Sequence, residues 1–159
     1  MEFSIAEGPP VSGELRYDKR GLSFDFRPAS SDVVQRAGDA VELAYGSLAL
    51  QVDRTAGEVL GVWGYHPDAS WQPAALASPT VTPARLRVRL AEVPPRGVAL
   101  RLSRVGELTT LRDADTGWIR VGRTGVPAGN QLIEFATGCL AELNGTDLVA
   151  LWLHPSAGI

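Results

Sequence analysis

The sequence predicts an all-β, mainly antiparallel fold, with two related hairpin-containing halves forming a β-sandwich or partly open barrel and at most one or two short helices. Three observations carry this expectation. Apolar residues alternate with polar ones or run in short blocks, and helical periodicity is nearly absent. Turns of one kind recur, each opening on an Asp or Asn that accepts from its own following N–H groups and closing on a Gly that takes positive φ. Finally, the stretch Gly46 to Pro67 repeats in pattern at Gly138 to Pro155. Each copy has an arm opening with Gly, a small residue and Leu-Ala, then a polar turn, then an apolar arm ending in Trp, His and Pro.

Taken in order, the turn Asp18 to Gly21 predicts a strand at 12–17 paired with one at 21–27. The run Ser30 to Ala37, with Ser or Asp as cap and Gly38 beyond, is the single place where a helix is expected. A strand follows at 41–44, and the turn Asp53 to Gly57 joins 46–52 to 58–65. Residues 67–83 hold Pro67, Pro73, Pro79 and Pro83 with few strand formers and read as a surface crossover, on which Trp71 and Leu76 are expected to pack. Strands are then expected at 85–90 and 98–104, at 106–112 paired with 117–123 through Asp113 to Gly117, at 131–135, and at 138–143 paired with 147–153 through Asn144-Gly145. The chain is thus read as one domain, 1–159, with halves of about 1–67 and 80–159. Trp63 and Trp152 hold matching positions and are expected to face each other in a shared core, where truncating either would cost about 3–5 kcal/mol.

A chain of 159 residues buries roughly two-thirds of its unfolded surface and needs no staple to fold. Cys139 is the only cysteine, so an intramolecular disulfide and a cysteine-rich zinc site are excluded, and its apolar arm makes it a buried small hydrophobe. The start lacks the basic segment and apolar run of a signal peptide, and no apolar stretch approaches the roughly 20 residues of a membrane helix. A soluble, cytoplasmic protein without a membrane partner is expected. Net charge is −3, yet nine arginines face four acids between Arg85 and Arg123, and Lys19 is the sole lysine. This bias is common where coding DNA is rich in G and C and points to a bacterial host. Without a glycine-rich nucleic-acid motif or a basic balance, no nucleic-acid partner is expected.

His66 and His154, the only histidines, each precede a proline at the end of a repeated arm. If the halves bring them together, they and Asp68 have the chemistry of a metal site or an acid–base pair. The simpler reading is that each His-Pro ends a strand. The stretch Asp113-Ala-Asp115-Thr-Gly117 resembles the opening of a calcium loop, but glycine stands at the fifth position and the twelfth lacks Glu, so it reads as a hairpin turn. No metal and no cofactor are expected. Arg85, Arg87 and Arg89 share one face of a strand, and with Arg101, Arg104, Arg120 and Arg123 they offer an anion-binding face, the ordinary alternative being a solvated one. Tyr65, Trp71 and Trp118 are the aromatics placed to line a pocket or interface, alongside His66, His154 and Glu134.

No nucleophile elbow, phosphate loop or dinucleotide fingerprint occurs. The sequence therefore points to a noncatalytic module that binds another protein or assembles with itself. The alternative is a small ligand-binding barrel or barrel-like enzyme whose pocket includes His66 or His154. A filled core with the two imidazoles apart favours the first, and a cavity lined by both favours the second.

Overall fold

The Asp and Asn turns reappear in the folded chain as hairpin closures, except that in the first the positive φ falls on Leu22 (φ +53) and not on Gly21 as expected. In the computed structural model, which describes residues 1–102 and 105–157, a first strand β1 (Glu2–Ala6) precedes the hairpin of β2 (Gly13–Asp18) and β3 (Ser23–Pro28). The one α-helix among the described residues, α1 (Ser31–Ala37), leads into a meander of β4 (Val41–Tyr45), β5 (Leu48–Val52) and β6 (Val59–Tyr65). A 3-10 turn at Asp68–Ser70 is followed by short strands β7 (Gln72–Pro73) and β8 (Thr82–Pro83), then β9 (Arg85–Arg89) and β10 (Ala99–Arg101). The second half repeats hairpin and meander: β11 (Thr109–Arg112) with β12 (Ile119–Gly122), then β13 (Gln131–Ala136), β14 (Cys139–Asn144) and β15 (Asp147–Leu153). The strand expected at 98–104 is shorter, and its last two positions, Ser103 and Arg104, lie outside the described residues.

Two of the turns are built alike. Asp53 Oδ1 accepts from the N–H groups of Thr55 and Ala56, its C=O accepts from Gly57 N–H, and its own N–H donates to Glu58 C=O. Asp113 does the same with Asp115, Thr116, Gly117 and Trp118. Gly57 and Gly117 close the turns at φ +69 and +82, where a side chain would strain the backbone. The second carboxylate oxygen then differs in use. In Asp53 it takes Arg36 of α1 at 2.6 Å, and in Asp113 it takes the N–H of Leu76 at 2.8 Å. One turn therefore anchors the helix and the other anchors the crossover. Asp113 is consumed by backbone N–H groups, which gives the calcium-like spelling its hairpin meaning.

The strands assemble into two open sheets that pack as a sandwich, and neither closes into a barrel. The first runs β10-β4-β5-β6-β3-β2, and the second runs β8-β13-β14-β15-β12-β11-β7. Read from the β10 and β8 ends, the six strands of the first correspond in order to six of the second, with β7 as an added edge, and β10 and β8 both pair in parallel with their neighbours. Tyr45 donates to Val149 C=O at 2.8 Å, a buried bond from one half to the other. A separate ribbon of β1 and β9 buries Phe3, Leu86 and Val88 and packs against β6 and β13.

The crossover is more than a connection. β7 and β8 sit on opposite edges of the second sheet, so residues 74–81 cross its outer face from edge to edge. Six strand spacings of about 4.8 Å make roughly 29 Å, close to the maximum reach of nine extended residues, which leaves no length for a helix or turn. Leu76 and Val81 of this strap lie on Leu140, Ala150 and Trp152, with Trp118 and Leu132 completing a second apolar cluster outside the main core.

This layout corrects the expectation for the tryptophans. Leu151 and Leu153 enter the core, so Trp152 points to the outer face and is buried there under the strap. Trp63 is likewise on the outer face of its own sheet, beside Asp25 and Ala49 in register, and is 39 % exposed. The two do not face each other.

Candidate functional site

By register, outer positions on β12 to β15 of the strapped sheet have counterparts on β3 to β6 of the other. Trp152 is flanked by Arg120 and Leu140, and Trp63 by Asp25 and Ala49. Where Leu132 and Ala150 lie beneath the strap, the first sheet has Glu42 and Gly61, each paired with Gln51. No segment among the described residues crosses this face. Trp63 and Tyr65 (59 % exposed) stand on it two residues apart on β6, over a shallow depression of about 560 Å³ that includes Arg16, Asp18, Asp25 and Arg27. Its charges alternate in sign and are paired along the strands, Arg16 with Glu14 at 2.8 Å and Arg27 with Asp25 at 3.0 Å.

A second concave region lies at the inward end of the same strand. His66 follows Tyr65 and so turns to the other face. Its N–H donates to Leu22 C=O, and its C=O accepts from the Tyr17 hydroxyl at 2.9 Å. Its imidazole lies between Ser47 Oγ, 2.7 Å from Nδ1, and Thr110 Oγ1, 2.8 Å from Nε2. Ser47 belongs to the β4–β5 turn and Thr110 to β11, so the ring bridges the two sheets. Phe24 and Trp71 approach it with ring centroids 6.0 and 5.8 Å away. Burial disfavours the imidazolium and lowers the His66 pKa below its usual 6.5. A cavity of about 330 Å³ opens here, lined by Ser47, His66, Ser70, Gln72, Glu107 and Thr110, with Leu108 and Val121 as an apolar wall.

The remaining predicted residues are scattered. His154 donates from Nε2–H to the Thr116 C=O, 3.0 Å away, and its ring packs obliquely on Trp118. Since a carbonyl only accepts, that nitrogen carries the proton, and His154 acts as a brace for the Asp113 turn. The two histidines thus lie in different aromatic clusters, and the strand-end reading fits His154 well. Tyr65, Trp71 and Trp118 do not share one site: Tyr65 is on the open face, Trp71 packs with Tyr17, Phe24 and His66, and Trp118 packs with Trp152 and His154. Glu134 borders neither cavity; it accepts from Gly138 N–H at 3.4 Å.

Arg85, Arg87 and Arg89 do share one side of β9, with Leu86 and Val88 turned inward. Arg87 and Arg89 are exposed, whereas Arg85 lies 3.3 Å from Glu58, which also takes Arg36 at 2.8 Å. The wider cationic face does not form. Arg120 is buried against Glu142 on the second sheet, Arg123 is paired with Asp147, and Arg104 is outside the described residues. No group of three His, Cys, Asp or Glu side chains able to hold a metal occurs among the described residues. Cys139 is fully buried and its thiol pKa is pushed up by desolvation, which removes it as a nucleophile.

No protein-family model matches the chain, and no curated protein matches it significantly in sequence. No helix among the described residues is long and apolar enough to cross a membrane.

The sequence carries no pointer to Thr110, and it gives little more for Ser47. Its only signal is a Gly-Ser pair two positions ahead of an apolar arm, which marks a turn and carries no information about a histidine nineteen residues later.

Proposed function

We propose that the chain is an interaction module that uses no catalytic step to bind, and that the open face of the first sheet docks a second copy of the same chain. The observation that carries this reading is the asymmetry between the two outer faces. The same position is a buried tryptophan under a strap on one sheet and a partly exposed tryptophan beside an exposed tyrosine on the other. Aromatic side chains with flanking arginines and a charged rim are the composition of interface anchors. The charge pattern favours a second copy in particular. Glu14, Asp18 and Asp25 intermix with Arg16 and Arg27, so the face carries both signs that a self-complementary two-fold contact uses. The shared strand order and the twin Asp turns also support reading the chain as an internal repeat, in which one half keeps its cover within the chain and the other takes it from outside.

The test is sedimentation velocity over micromolar concentrations. A dimer is expected, and Trp63→Ala with Tyr65→Ala should return a monomer whose melting temperature is nearly unchanged, because exposed substitutions cost about 0.5 kcal/mol or less. Trp152→Ala is expected to cost about 3–5 kcal/mol in the same background. A wild-type protein that stays monomeric at about 100 μM, or a dimer indifferent to the double change, overturns the reading.

A further inference from the structure

The docking face leaves the Ser47–His66 contact without a role. We propose that Ser47 and His66 form a nucleophile–base pair that cleaves short acyl esters in the cavity they line, a reactive centre separate from the docking face. The geometry has the parts such a step requires. Ser47 is exposed on a tight turn, and its Oγ is 2.7 Å from Nδ1 of a mostly buried imidazole. With Nε2–H donating to Thr110 Oγ1, Nδ1 is left free to accept the serine proton, so Thr110 acts as a positioning residue that fixes the tautomer. Desolvation keeps the ring neutral near pH 7, which leaves it able to take up a proton.

The turn supplies the remaining element. Gly46 takes φ +62 at the first of the two central positions, and the N–H groups of Gly46 and Ser47 have no backbone acceptor among the described residues. In this proposal those two N–H groups, adjacent to the nucleophile in the chain, receive the developing oxyanion. Two close approaches hold the turn in place. Leu108 lies where a Gly46 side chain would go, at 2.8 Å, and the Ser47 carbonyl lies 2.7 Å from where a Gly64 side chain would go. The cavity, with Leu108 and Val121 on one wall and Gln72, Ser70 and Glu107 on the other, fits a short acyl chain carried by a polar alcohol.

The reaction balances as hydrolysis. As Oγ bonds to the acyl carbon, its proton passes to Nδ1 and the carbonyl electrons move to oxygen. When the tetrahedral species collapses, the C–O bond to the alcohol breaks and the alcohol leaves with the proton from Nδ1. Water then attacks the acyl-serine, gives one proton to Nδ1 and releases the acid, and Ser47 recovers its proton.

The test uses the full chain, a fluorophosphonate probe with intact-mass detection, and p-nitrophenyl acetate turnover. One adduct per chain is expected at Ser47, absent in Ser47→Ala and at least tenfold slower in His66→Gln. Thr110→Val is expected to slow labelling and shift its pH profile, and Thr110→Ser to retain both. Should His66→Gln fail to fold, the wild-type pH profile decides. Labelling that follows the deprotonation of His66, read by NMR on the same protein, supports the pair. The absence of an adduct, an adduct on another residue, or a rate that climbs with hydroxide through the imidazole range overturns it.

Discussion

At the level of single residues, His66 and Glu142 give the fold an acid sensitivity in two steps. Glu142 is buried, which by itself would raise its pKa, but it accepts from Arg120, Trp152 and Asn130, and these bonds hold it below the usual carboxylate range. Its contribution is therefore complete above the ordinary carboxylate pKa and is lost as pH falls through the lower folded value. His66 is also depressed in the folded state, so stability starts to decline once pH drops below the ordinary 6.5 and the unfolded imidazole gains its proton first. Chemical denaturation as a function of pH is expected to show a loss beginning near 6.5 that disappears in His66→Gln, followed by a second loss in the carboxylate range that remains. A profile flat from 7 to 5 in the wild type would contradict the buried neutral imidazole. The parity of the tryptophans was hidden for a physical reason: Val62-Trp63-Gly64 and Leu151-Trp152-Leu153 are continuous apolar runs, and without polar alternation the inner face is not encoded locally.

At the level of elements, turn chemistry was the most legible part of the chain. An Asp that satisfies its own loop and a Gly at positive φ are local devices, so every hairpin they close could be read without knowing the rest. The helix at 31–37 was placed from Ser30, Asp32 and Gly38, although Ser30 makes no side-chain cap bond and Gly38 stays at φ −65. β7 and β8 were not, because two-residue strands carry no period, and β1 was missed because its partner β9 is some eighty residues away. The strap shows how a local device acquires a distant role. Asp113→Ala should free Leu76 N–H and loosen residues 74–81, exposing Trp152. The expected readouts are a red shift of tryptophan emission and faster cleavage within the strap by a broad-specificity protease, while Asp53→Ala, which lacks that contact, leaves the strap protected. Equal protection in both variants would show that apolar contacts alone hold the segment down.

At the level of the whole molecule, the candidate site was only partly legible. His66 and Trp71 were named from sequence and do meet, but the serine, the threonine and the uncovered sheet face arise from the stacking of two sheets, which no local pattern records. That stacking also interlaces the halves. β7 and β8 precede the second half in the chain and complete the edges of its sheet, and β10 follows them and completes the edge of the first. Val11 pairs with Ala136, and Ser156 N–H reaches back to Leu15 C=O. A cut in the loop 91–97 would therefore yield two fragments, the first lacking the edge strand β10 and the second lacking the edge strands β7 and β8. Neither fragment should fold by itself, yet mixing them should restore the native spectrum at one-to-one stoichiometry, with a rate set by their encounter. The chain behaves in this respect as a heterodimer written on one polypeptide, and its late, long-range closures make slow folding the expected counterpart of that mutual dependence.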